Sequence, residues 1–232
     1  MADPVTSFAF FLVFLFSVTL HEAAHAWAAK RGGDPTAYLG GQVSLNPLPH
    51  IRREPFGMLV LPLISVLISG WPFGFASAPY DPSWARAYPR KAAWMALAGP
   101  VSNLALLLAS AVVIRLGVAA GDLEVPMSVG ISSVVASGGT DAGALAALVL
   151  SIIFSMNLIL FLLNMVPFPP LDGSAAIVLL IPSALVPKYQ EFVRQPMLGW
   201  LGILIAWRIF GVVFRPLFMF SLNLLYPGAQ YG

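Results

Sequence analysis

The sequence predicts an all-α polytopic membrane protein. It has about four to six transmembrane helices, a re-entrant or hairpin-like segment and a short membrane-associated β-hairpin. Three observations predict this. The chain is 59% hydrophobic and only 9% charged, whereas a soluble domain carries about a quarter charged residues. Several apolar stretches are long enough to cross a bilayer, which takes about 20 residues. The remaining apolar stretches are interrupted by Pro and Gly where a continuous helix would be needed. Residues 1–232 read as one membrane domain, with no internal repeat and no appended soluble module.

The first span is predicted at residues 8–29. No basic segment precedes it and no small-residue cleavage site follows its apolar core, so it reads as a retained span rather than a signal peptide. Asp3 lies before it and Lys30-Arg31 after it, which puts the N-terminus outside and Lys30 in the cytoplasm. Gly32-Gly33-Asp34-Pro35 breaks the helix. Residues 38–45 are Gly-rich and weakly alternating and read as a strand or hairpin. Asn46-Pro47-Leu48-Pro49-His50 is expected not to be helical throughout. Residues 56–76 are apolar but broken by Pro62, Gly70, Pro72 and Gly74. Both flanks are basic, with Arg52 and Arg53 before and Arg86, Arg90 and Lys91 after. This favours a segment that enters and returns on one side over a full span. Further spans are predicted at 92–116 and 143–166. The loop between them is acidic and Gly/Ser-rich, with Asp122, Glu124 and Asp141, and reads as external and mobile. A short helix is expected at 174–185, a polar break at Lys188, Glu191 and Arg194, and a last span at 198–226.

The net charge of +2 is small and the basic residues are scattered, which leaves no nucleic-acid-binding face. There is no cysteine, and the only histidines are His21, His25 and His50. A metal site must be built from these and carboxylates. His21-Glu22-Ala23-Ala24-His25 lies in the first span. Residues i and i+4 share a helix face, so His21 and His25 can bind one metal ion, with Glu22 beside them to handle a proton from water. A catalytic zinc needs a third protein ligand. Asp122, Glu124 and Asp141 are on the wrong side, and the loop carboxylates need no special role. Asp172 remains, set near the bilayer at the cytoplasmic end of a span, with His50 as its competitor. Asn103 and Ser102 read first as interhelical hydrogen-bonding residues and second as site residues.

Three motifs occur in order. They are His21-Glu22-Ala23-Ala24-His25, Gly99-Pro100-Val101-Ser102-Asn103, and Asn164-Met165-Val166-Pro167-Phe168-Pro169-Pro170-Leu171-Asp172-Gly173. Over about residues 8–185 they resemble the site-2 protease family of intramembrane zinc metalloproteases. The third matches the family's N-x-x-P-x-P-x-L-D-G pattern at every fixed position. The chain looks like a compact member without PDZ or cystathionine-synthase-type domains. Asn46 to His50 is similar to a segment of such members, although Arg52-Arg53-Glu54 follows here where some carry an acid. The resemblance implies one zinc per chain, held by His21, His25 and Asp172, with Glu22 as acid/base and Asn164 near the substrate carbonyl. It implies a multi-pass protein of a prokaryotic cell membrane, and the basic flanks put its site toward the cytoplasm. The expected partners are the lipid bilayer and a transmembrane protein substrate, often trimmed first by another protease. Three histidines are too few for a di-iron oxidase. A catalytically inactive scaffold of the same fold is the alternative reading, against which Glu22 argues.

Overall fold

In the computed structural model, which describes residues 3–231, four helices are long and apolar enough to cross a membrane. The first, α1 (Pro4–Gly32), is started by Asp3, whose carboxylate accepts from the Thr6 amide at 2.9 Å. It ends at Gly33, with φ of 105°, a left-handed turn that Gly enters without steric cost. At 1.5 Å per residue, its 29 residues reach about 44 Å, enough to cross with overhang. The chain then forms α2 (Thr36–Leu39) and α3 (Pro47–Arg53).

Both short helices correct the sequence reading. The strand expected at 38–45 is absent. The Asp34 carboxylate accepts from both the amide and the hydroxyl of Thr36 and turns the chain into α2 instead. Residues 47–53 are helical despite two prolines. Asn46 caps α3 by accepting from Leu48 N–H at 3.0 Å. Pro47 and Pro49 fall in the first turn, where the missing N–H groups would have had no helical partner.

The segment after α3 doubles back. A π-helical turn (Phe56–Val60) leads into α4 (Leu61–Ser69), which ends at Gly70. The chain then returns extended, without regular structure, to Asp81. Phe75 N–H donates to the Gly57 carbonyl at 3.1 Å, and Phe73 N–H to Ser65 Oγ at 2.7 Å. The ascending limb, Phe56–Ser69, rises about 21 Å at 1.5 Å per residue, short of the roughly 30 Å hydrocarbon core.

After α5 (Pro82–Ala87), α6 (Pro89–Ala120) runs antiparallel to α1. Trp84 fixes that start: its indole N–H donates to the Gly32 carbonyl at 3.2 Å, and its ring packs with Ala29 and Met95. The loop after α6 is not the mobile linker its composition predicted. Leu123–Glu124 (β1) pairs antiparallel with Ala136–Ser137 (β2). Val134 and Val135 are buried, and Ser151 Oγ of α7 (Asp141–Asn164) accepts from both their amides at 2.9 and 3.1 Å. Buried apolar side chains and satisfied backbone donors order a segment that Gly and Ser alone would leave loose.

The expected helix at 174–185 is shorter and earlier. α8 (Asp172–Ala176) starts at the aspartate, followed by 3-10 turns at Ile177–Leu179 and Ser183–Leu185 around Pro182. The polar break that follows is helical, α9 (Val186–Val193). The last long helix, α10 (Pro196–Leu225), packs through Phe218, Leu222 and Leu225 onto the cluster of Leu107, Phe154 and Leu158. Tyr226 OH donates to the Val134 carbonyl at 3.0 Å, closing the end of the bundle opposite Lys30. Leu12, Phe16, Leu108, Val112, Leu204 and Val212 face outward, as a lipid-facing surface requires. The interior is where α1, α6 and α7 meet.

Candidate metal centre

α1 carries His21 and His25 one turn apart on its buried face. Their Nε2 atoms are 2.9 Å from each other, with the rings nearly perpendicular at 83°. The first residue of α8 completes the group: Asp172 Oδ2 lies 3.0 Å from His21 Nε2 and 3.3 Å from His25 Nε2. The remote Asp172 thus joins the pair. His50 does not: it is buried in α3 and its Nε2–H donates to the Ser44 carbonyl at 3.0 Å.

The outer nitrogens of the two imidazoles are held as well. His25 Nδ1–H donates to the Met95 carbonyl at 2.7 Å, and His21 Nδ1–H to Asn103 Oδ1 at 2.6 Å. When the imidazoles are neutral, each Nε2 then points a lone pair at the centre, and the carboxylate adds a third. Like donors converging this closely call for a cation between them, a metal ion or a proton. The edges of a tetrahedron about an ion with ligands at about 2.0 Å are about 3.3 Å, close to the spacings seen here.

Two further observations fit a cation and its water. Gly99 of α6 faces the imidazoles, and a Cβ there would collide with Nε2 of both His21 and His25; the missing side chain leaves the volume open. Glu22 is buried, lies within 4.8 Å of the ligand atoms of both histidines, and its Oε2 has no hydrogen-bond partner. A buried carboxylate oxygen without a donor is costly, and a water in the adjoining cavity would satisfy it. That cavity, about 400 Å³, is lined by Glu22, His25, Asp172, Ala76, Tyr189 and Arg194.

Asn164 is placed differently. It ends α7 and donates one amide N–H to the Leu160 carbonyl of its own helix at 3.0 Å. It makes no hydrogen bond to His21, His25, Glu22 or Asp172. Sequence reasoning missed the Met95 carbonyl and Asn157, the partner of Asn103 at 2.9 Å. Backbone acceptors leave no trace in sequence. Asn157 did leave one, as a polar residue in mid-span.

Comparison with known proteins agrees with this construction. The chain matches the model of peptidase family M50 over residues 9–204. It is 31% identical to the "Putative zinc metalloprotease YwhC" of Bacillus subtilis, over 78% of this chain and 72% of that protein. It is 29% identical to the "Putative zinc metalloprotease Rip2" of Mycolicibacterium smegmatis, over 70% of this chain; the matched region spans about half of that longer protein, 53%. No solved structure matches. With the metal-ligand type of cluster inside an apolar bundle and a family match over most of its length, this chain belongs to peptidase family M50, the site-2 protease family.

Proposed function

We propose that the protein is an intramembrane zinc metalloprotease that hydrolyses peptide bonds in or near transmembrane segments of membrane proteins. One observation carries the reading: two imidazole nitrogens and a carboxylate oxygen converge within 3.3 Å beside a buried glutamate with one unpartnered oxygen, inside a bundle of apolar helices. His21, His25 and Asp172 would hold one zinc ion per chain. When bound, zinc supplies Lewis acidity toward the scissile carbonyl and toward water.

The chain's own residues do the rest. Glu22, whose Oε2 has no hydrogen-bond partner, takes a proton from water in the cavity and passes it to the leaving amine as the C–N bond breaks. The second amide N–H of Asn164 is the candidate donor to the carbonyl oxygen. A substrate helix must unwind before its carbonyl can be presented. The extended return limb supports a way of holding it. Ala76, Ser77, Ala78 and Tyr80 line the cavity, and none of their amides has a hydrogen-bond partner among the described residues. An unwound substrate can add to this edge as a strand. This edge replaces residues 38–45, which are folded into α2 and turns. Lys30, Arg52, Arg53, Arg90 and Lys91 lie at the site's end of the bundle and Asp122, Glu124 and Asp141 at the other, which supports a cytoplasmic-facing site.

The test is cleavage of single-span substrates, including ones already trimmed by another protease, in reconstituted membranes. Glu22→Gln should keep its zinc and lose activity by about 10²- to 10⁴-fold. Asp172→Ala should lose the zinc itself. Equal cleavage by wild type and Glu22→Gln would overturn the mechanism. Zinc retained by Asp172→Ala but lost by His50→Ala would overturn the ligand set.

A further inference from the structure

Three polar side chains sit where the apolar helices α1, α6 and α7 meet, and none of them lines the cavity. Ser17, Asn103 and Asn157 are each fully buried, at 0% exposure. Amides at that depth are costly unless their groups are paired, and these are paired in one direction only.

The direction starts from a backbone carbonyl. Ile153 C=O can accept but not donate, so Asn157 turns its NH₂ group toward it, at 2.8 Å. The other N–H of Asn157 donates to Ser17 Oγ at 3.0 Å. That leaves Asn157 Oδ1 facing α6, where it accepts from Asn103 Nδ2 at 2.9 Å. A longer contact from the same Nδ2 reaches the Ser17 carbonyl at 3.5 Å. With its NH₂ so engaged, Asn103 presents Oδ1 to His21 Nδ1 at 2.6 Å. An oxygen acceptor there requires the proton of neutral His21 to be on Nδ1. Nε2 is then a free lone pair. Reversing either amide would put an N–H against Nδ1 and move the proton to the Nε2 atom.

We infer that Asn157 is a positioning residue: through Asn103 it carries the polarity of the Ile153 carbonyl to His21 and locks that imidazole as the Nδ1–H tautomer. His25 achieves the same state directly, by donating to the Met95 carbonyl. α6 offers His21 no such carbonyl, and the relay across α7 stands in for one. The consequence for metal binding rests on the zinc reading above; the hydrogen bond that keeps a proton on Nδ1 does not.

The experiment uses that difference. In ¹⁵N-histidine-labelled protein, His21 should show a protonated Nδ1 hydrogen-bonded to the Asn103 oxygen both without and with zinc, assigned by single replacement of each histidine. Asn157→Leu removes the relay at similar volume; it should populate the Nε2–H form and weaken zinc about 10- to 100-fold in chelator competition. Asn103→Leu should do the same. The double variant should be no weaker than Asn103→Leu alone, because the two residues act in series. Ser155→Ala, on the same helix with a hydroxyl that has no partner, should keep wild-type affinity and so separate relay loss from general loosening of α7. An Nε2–H tautomer in the zinc-free wild type overturns the inference even if the leucine variants do not fold. So does an unchanged tautomer in Asn157→Leu, or losses that add in the double variant. A wild type with the Nδ1–H tautomer but no zinc would instead sink the metal reading and leave the relay standing.

Discussion

Gly99 shows how much a single missing side chain decides. In the sequence it reads as a residue that lets helices approach closely. In the structure its α-carbon faces the two Nε2 atoms, and the space a Cβ would fill is the space a metal would need. Gly99→Ala should therefore leave the helix intact, since Ala is the better helix former by about 1 kcal/mol, and lose most of the bound zinc. Helicity by circular dichroism and metal content on the same sample check this. An alanine variant with a full complement of zinc would place the metal elsewhere. His21, Glu22 and His25 were legible because helical spacing makes neighbours of i and i+4. Asp172 was reachable because so few ligand-type residues exist. The Met95 carbonyl was not, since every residue has one and only the packing of α6 on α1 selects it.

At the scale of elements, the segment from Phe56 to Asp81 is the informative one. Its Pro and Gly content and its basic flanks pointed to a segment that enters and returns, but not to how the two limbs are joined. The close approach of its two limbs is set at Gly57, where a Cβ would run into the Phe75 carbonyl. A backbone atom cannot swing away as a side chain can, so Gly57→Ala should cost roughly 1–3 kcal/mol. It should also displace the extended limb that borders the cavity. Thermal unfolding in micelles should show the loss, and activity should fall further than the stability change alone explains. An alanine variant that melts and cleaves like wild type would mean that the limbs are not held together there. The two short helices that sequence patterning missed share a cause. Asp34 and Asn46 each redirect the chain through one side-chain hydrogen bond to a nearby amide. Local side-chain-to-backbone hydrogen bonds of this kind outweigh weak alternation and proline content.

At the scale of the whole molecule, the bundle separates charge by end. The arginines and lysines near α3, α5 and α9 gather at the end where the site lies, while Asp122, Glu124 and Asp141 gather at the end closed by Tyr226. The native chain has no cysteine, so single cysteines report without background. Ser137→Cys should react with an impermeant thiol reagent from outside the cell and Ser183→Cys only after the membrane is opened. Labelling of both from one side would overturn the proposed crossing pattern. The sequence by itself determined the class of protein, the long spans and the His-Glu-His half of the site, because hydropathy and helical periodicity are properties of neighbours along the chain. Through the basic residues on both flanks it pointed to the return of the 56–76 segment, but it was silent on the contacts that join the two limbs, on the order in the loop between α6 and α7 and on the direction of the asparagine relay. Those depend on which backbone carbonyls and side chains meet across residues far apart in the chain: His21 meets Asp172 and Asn103, and Asn157 meets Ser17, only because α1, α6 and α7 pack on one another. The tertiary structure decided them, since a hydrogen bond is fixed by distance and direction in space and not by position in the chain.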